Sequence, residues 1–141
     1  VSAAPAVATA VVFVWLGMVL AISFLEAPLK FRAPGVTLQI GLGIGRLVFR
    51  ALNVCEAAFA AVVAASFVVR APGTTAAAAA AAAIVVLLAQ LLVVRPRLTR
   101  RSDVVLAGGE APRSRAHYAY VGLEIVKIAA LLVAGVALLA S

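Results

Sequence analysis

Acidic side chains are scarce in this chain, at five Asp and Glu against twelve Lys and Arg. Charge of either sign makes up only 12% of the 141 residues, where an ordinary soluble domain carries about a quarter. There is one cysteine, and there is one histidine. The lone Cys55 excludes an internal disulfide, and its place inside an apolar run reads as a small buried hydrophobe. The lone His117 has no companion ligand at a suitable spacing for haem or a metal ion. No serine or cysteine stands beside a base, and the acids lie among arginines and apolar residues, which argues against a hydrolase. A Gly-rich run at Gly41, Gly43 and Gly45 lacks the G-K-S/T ending and the preceding strand of a phosphate loop. The expectation is a protein without cofactor, metal or chemistry of its own, and not an enzyme.

Hydrophobic residues are what remains, at 66% of the chain. A soluble chain of this length has too little interior to hide them, whereas a bilayer makes hiding them unnecessary. Four apolar stretches are long enough to span, at about 20 residues each. The pattern predicts an all-α polytopic membrane protein, one transmembrane domain over 1–141. Its four helices are expected at about 5–25, 36–69, 74–94 and 116–139, in an antiparallel up-down bundle. The first stretch lacks the positive n-region of a signal peptide and is too long for one, so it is expected to stay as a span. Residues 36–50 read as an amphipathic lead-in that continues into the second helix and makes it the longest. The eight alanines Ala76–Ala83 favour helix and let neighbouring backbones approach closely. Arg95-Pro96-Arg97 is read as the start of an irregular third loop.

The net charge of +7 does not point to nucleic acid, because the basic residues flank apolar segments and do not share one solvated surface. The first loop holds Lys30, Arg32, Arg46 and Arg50. The third holds Arg95, Arg97, Arg100, Arg101, Arg113 and Arg115. The second holds only Arg70. Ten against one, in short loops, orients the chain by the positive-inside rule. Both termini are expected outside the cell membrane and loops one and three in the cytoplasm. Arg46, Arg95, Arg97, Arg100, Arg101, Arg113 and Arg115 form a basic belt suited to anionic lipid headgroups.

Three charges inside the spans need a reason, because they are costly there and face the bundle interior. On the fourth segment, His117, Tyr120, Glu124 and Lys127 recur at helical spacing; on the second, Arg46, Phe49, Asn53 and Glu56 do the same. The simplest arrangement has these faces meeting. Glu56 then neutralises Lys127, and Glu124, Asn53, Arg50 and His117 complete an intramembrane polar network. Such a network serves as structural glue, as a proton relay or as a polar-substrate site. His117, with Tyr118 and Tyr120, is expected at the membrane interface as an anchor.

Trp15-Leu16-Gly17-Met18, followed by Phe24-Leu25-Glu26-Ala27-Pro28-Leu29-Lys30-Phe31 and by the glycine-containing piece with Arg46 and Phe49, resembles the small four-helix bacterial membrane proteins related to eukaryotic transmembrane protein 205. The chain departs from that pattern at Glu26 and Lys30. The resemblance implies a four-helix membrane protein and supplies no catalytic residue. Two functions are therefore expected. The first is an accessory or scaffolding subunit of a larger membrane complex, with anionic lipids and other membrane subunits as partners. The alternative is a small proton-coupled transporter or efflux protein using a membrane-embedded carboxylate.

Overall fold

Four helices long and apolar enough to cross a bilayer run Ala3–Lys30 (α1), Leu38–Val69 (α2), Thr74–Leu106 (α3) and Arg115–Ala140 (α4). The computed structural model describes residues 3–110 and 115–141, and among these there is no strand. Arg113 of the basic belt lies outside the described residues. The chain is an all-α, multi-pass membrane protein.

Each helix boundary has a local cause. Pro5 sits in the first turn of α1, where its missing N–H costs least. Thr37 caps α2, its Oγ1 accepting from the Ile40 N–H at 3.1 Å. After α2, Ala71-Pro72-Gly73 turns the chain. At the end of α3, Gly108 takes φ +91°. The Gly109 N–H returns to the Val104 carbonyl at 2.9 Å, and the Gly108 N–H to Val105 at 3.0 Å. Those paired bonds satisfy the last carbonyls, and the positive φ suits glycine.

Two helices are not uniform. α1 widens into a π-helix over Leu20–Glu26, and α3 does so over Gln90–Val94. Both widened turns stand directly before the α-helical turn that contains a proline, Pro28 and Pro96 respectively. Proline donates no N–H and crowds the carbonyl one turn earlier, so a loosened turn there accommodates it without breaking the helix.

This corrects the expected third helix. Helix does not stop at Val94 but continues for twelve residues, Arg95–Leu106. Pro96 occupies the tolerated opening turn of that piece, and its Ser102 and Val105 are buried. Gln39 Nε2 donates to the carbonyls of Val105 and Leu106 at 3.4 and 3.1 Å, and Arg46 pairs with Asp103 at 2.6 Å. The start of α2 therefore holds the extension in place. With it, α3 reaches 33 residues against 32 for α2, so α2 is the longest uninterrupted α-helix but not the longest span.

The helices form an up-down bundle in which α1 packs on α2 and on α4, and α3 packs on α4. α2 and α3 meet mainly where the extension of α3 crosses the start of α2, and only thinly within the span. α2 and α4 occupy the diagonal. The apolar core gathers Val12, Trp15, Leu16 and Val19 of α1, Val63 of α2, Ala80, Ala83 and Leu87 of α3, and Leu131 and Ala134 of α4. Ala76, Ala80, Ala83 and Leu87 are the buried face of α3, so the alanine run does supply the small-residue seam against α4. Gly135 of α4 makes room for Phe13 of α1, whose ring lies where a β-carbon would stand.

Replacing Gly135 by Ala is expected to force the Phe13 ring to move and to destabilise the bundle by about 1–3 kcal/mol, the usual range for overpacking. Thermal unfolding in detergent reads this, and Phe13→Leu in the same chain is expected to restore part of the loss. No change on Gly135→Ala alone would show that α1 and α4 are not packed this closely. The charge bias makes a separate prediction. In a background lacking Cys55, a cysteine at exposed Thr74 should be labelled from outside intact cells, and one at exposed Ala107 should not. The opposite labelling would invert the topology.

Candidate functional site

The centre of the bundle holds a buried charged cluster. Lys127 of α4 is fully buried, and its ammonium group contacts three oxygens: Glu56 Oε2 at 2.5 Å, Glu124 Oε1 at 2.6 Å and Gln90 Oε1 at 2.7 Å. These come from α2, α4 and α3. Glu56 accepts two further bonds, from Trp15 Nε1 at 2.8 Å and from Asn53 Nδ2 at 3.2 Å. Glu124 accepts from Ser23 Oγ at 2.6 Å and from Gln90 Nε2 at 3.2 Å. All four helices thus supply a side chain, and every ion is hydrogen-bonded. That is the condition under which charges are tolerated in a low-dielectric interior.

The local folding explains the reach. α2 and α4 lie on the diagonal, so only long side chains bridge them. Glu56 and Lys127 do this at the ion cluster. Phe49 and Tyr120 do it one layer nearer the basic end, edge to face with centroids 5.9 Å apart. Ser23 lies within the widened turn of α1 and Gln90 opens that of α3. Both touch Glu124, so each π segment delivers one polar side chain to the same carboxylate. Widened turns of this kind recur at functional sites.

On the basic side of the cluster lies a cavity of about 850 Å³. Its inner end is formed by Ser23, Asn53 and Glu124; Glu56 and Lys127 do not line it. Its walls are apolar, with Phe24, Phe31, Phe49, Leu91 and Leu98. Its outer part is basic, with Lys30, Arg46, Arg50, Arg95 and Arg101. Glycines let it form compactly: a β-carbon at Gly41 would enter the Phe31 ring, and one at Gly45 would meet the Lys30 ammonium. The guanidinium of Arg95 sits over both Phe49 and Tyr120, 5.2 and 4.6 Å from the ring centres.

The residues singled out in the sequence divide in two. Glu56, Glu124, Lys127 and Asn53 are brought together. Arg50 and His117 do not join the cluster around Glu56 but line the cavity. The helical rise explains this, because Arg50 is six residues before Glu56 and His117 seven before Glu124, roughly 9 and 10 Å along their helices. His117 is half-buried and meets Tyr118 edge to face at 5.6 Å. Tyr120 is not an interfacial anchor: it is 6% exposed, whereas Tyr118 is 63% exposed. Two residues on a helix are about 200° apart, so one faces lipid and the other the bundle. In the belt, Arg46 is tied to Asp103, Arg95 and Arg101 line the cavity, and Arg97, Arg100 and Arg115 are exposed.

Sequence reasoning did not place Trp15, Ser23, Gln90 or Ser102 at a site. A signal existed for two of them. Gln90 is the only polar residue inside its apolar segment, and Trp15 lies mid-span with an N–H that requires a buried acceptor. Ser23 had none, since a lone serine bonds its own helix as readily as a neighbour. Comparison of the chain with protein-family models, with characterised proteins and with solved structures finds no match.

At formal charge the cluster holds two carboxylates and one ammonium. Removing Lys127 therefore strands two acids, while removing Glu56 leaves a balanced pair. Lys127→Ala is expected to destabilise by about 3–5 kcal/mol, as for a broken buried pair. Lys127→Ala combined with Glu56→Ala should cost less than Lys127→Ala alone. Denaturation of the four members of this cycle in one detergent measures the coupling, and simple additivity would mean the two residues do not interact.

Proposed function

We propose that the protein is a small proton-coupled carrier of the cell membrane, set with its basic end in the cytoplasm. The observation that carries this reading is the cavity that runs from the basic end to Glu124. A purely structural ion cluster has no need of a chamber leading to one of its acids. Glu124 borders that chamber, while Glu56 is enclosed by Trp15, Asn53 and Lys127. The two acids thus have separate roles. Glu56 balances Lys127 permanently, and Glu124 takes up and releases one proton as the cavity fills and empties.

The geometry of the helices supports movement as well as binding. α1 and α3 each pass the cavity at a π segment followed by a proline, whereas α2 and α4, which carry the acids, run without interruption. Widened turns inside otherwise continuous helices recur at functional sites. A change of pitch at these turns moves Ser23 and Gln90 relative to Glu124, and so alters which side the acid faces.

The accessory-subunit reading has no comparable feature behind it. Exposed apolar residues cover all four helices, which contact with lipid alone requires. The resemblance to relatives of transmembrane protein 205 supports the architecture and adds no activity.

The test uses proteoliposomes with an internal pH dye, a clamped membrane potential and an imposed pH gradient. Panels of organic anions and cations are added outside. At least one compound is expected to accelerate proton movement at least fivefold over protein-free vesicles. Glu124→Gln should abolish that movement. Proton movement that no compound stimulates, or that survives Glu124→Gln, would overturn the carrier reading and favour an accessory subunit.

A further inference from the structure

The cavity presents hydrogen-bond donors that the protein itself leaves unused. The guanidinium of Arg95 is fixed by the Phe49 and Tyr120 rings, and its Nε and Nη2 atoms are buried with no hydrogen-bond partner. Those two atoms form one edge of the guanidinium. Its parallel N–H groups match the two oxygens of a carboxylate or phosphate. The Tyr120 hydroxyl, on a side chain 6% exposed, is buried in the same layer with Asn53 as its near polar neighbour. Both Arg95 and Tyr120 line the cavity. Among the described residues no carboxylate pairs with Arg95. A buried donor edge on a cation, unused by the protein, calls for an acceptor with negative charge.

The second observation concerns the way in. Val54 of α2, which is 67% exposed to the surroundings of the bundle, also lines the cavity, as do Leu91 and Leu98 of α3. α2 and α3 are thinly packed within the span. The cavity therefore reaches the lipid-facing surface along that seam. A small hydrophilic anion gains nothing from such a wall, whereas a hydrocarbon chain does.

We infer that the cavity binds an amphiphilic anion, its oxyanion head held by Arg95 and Tyr120 and its hydrocarbon tail lying along the α2–α3 seam. The inference rests on the carrier reading and names its substrate class. Glu124 limits the depth of the head, because a second negative charge beside it is repelled. The anion is thus placed against the aromatic layer, one layer above the ion cluster.

Binding is measured without a proton gradient, so a chain that binds but moves no protons sinks the carrier reading alone. Native mass spectrometry of the detergent-purified protein is run with oleate, oleoyl lysophosphatidate, oleyl alcohol and inorganic phosphate. One or both lipid anions are expected to bind at least tenfold more tightly than oleyl alcohol and than phosphate. Whichever of the two binds better identifies the head as carboxylate or phosphate monoester. Arg95→Gln should weaken lipid-anion binding at least tenfold, and Arg95→Lys should restore only part of it, since an ammonium lacks the paired edge. Tyr120→Phe keeps the ring that positions Arg95, and should weaken anion binding severalfold while leaving oleyl alcohol unchanged. Arg100→Gln, exposed and outside the cavity lining, should change nothing. Equal binding of oleyl alcohol and oleate, or full anion affinity in both Arg95→Gln and Tyr120→Phe, would overturn the proposal.

Discussion

The ammonium group of Lys127 is held at the centre of the bundle by oxygens from three different side chains, Glu56, Glu124 and Gln90. In a hydrocarbon interior no water is present to replace any of them. The positions of α2, α3 and α4 are therefore coupled through one nitrogen atom. α1 is tied to the same atom at one remove, through Trp15 on Glu56 and Ser23 on Glu124. Apolar packing between membrane helices is weakly selective, because lipid tails are as apolar as the side chains they replace. A saturated polar centre supplies the register that packing alone does not. The alanine seam of α3 and the Gly135 notch on α4 then set how closely the helices approach once that register is fixed.

Saturation of the centre comes at the cost of helical regularity elsewhere. Ser23 and Gln90 reach Glu124 from π segments, and each segment is followed by a proline that an undisturbed α-helix would resist. Widened turn, proline and site residue thus occur together twice, in α1 and in α3. The two helices without such a turn carry the charges. All four helices border the cavity, but only α1 and α3 do so with a widened turn.

Much of this architecture was legible in the sequence, for identifiable reasons. Four spans follow from apolar runs long enough to cross a bilayer. The meeting of Glu56 and Lys127 follows from helical spacing and from the cost of leaving either charge in lipid. Asn53 and Glu124 follow from the same faces. Arg50 and His117 share those faces but lie too far along the helix, because an angular pattern gives direction around an axis and says little about depth. The extension of α3 was missed because Pro96 reads as a stop signal, and a π turn before a proline leaves no mark in composition. Arg95 was counted as one basic residue among seven. What sets it apart, the two aromatic rings and the unused donor edge, arises only when α2 and α4 face each other.

The two polar layers of the cavity differ in a way that bears on why both exist. Around Lys127 every charged group is partnered, and the cluster is closed. Around Arg95 one donor edge stands unused, and the layer is open toward the basic end and toward the lipid seam. Glu124 belongs to the first layer and borders the second, with Tyr120 one turn away on the same helix. On the proposed reading, a negative group arriving at Arg95 raises the electrostatic cost of a charged Glu124, and a neutral Glu124 lowers the cost of that arrival. By the reciprocity of linked equilibria each event favours the other. On the proposed reading, anion occupancy and the charge on Glu124 are linked through electrostatics alone. On that reading the four helices suffice for the linkage, because both groups border one chamber of low dielectric, where charges are poorly screened.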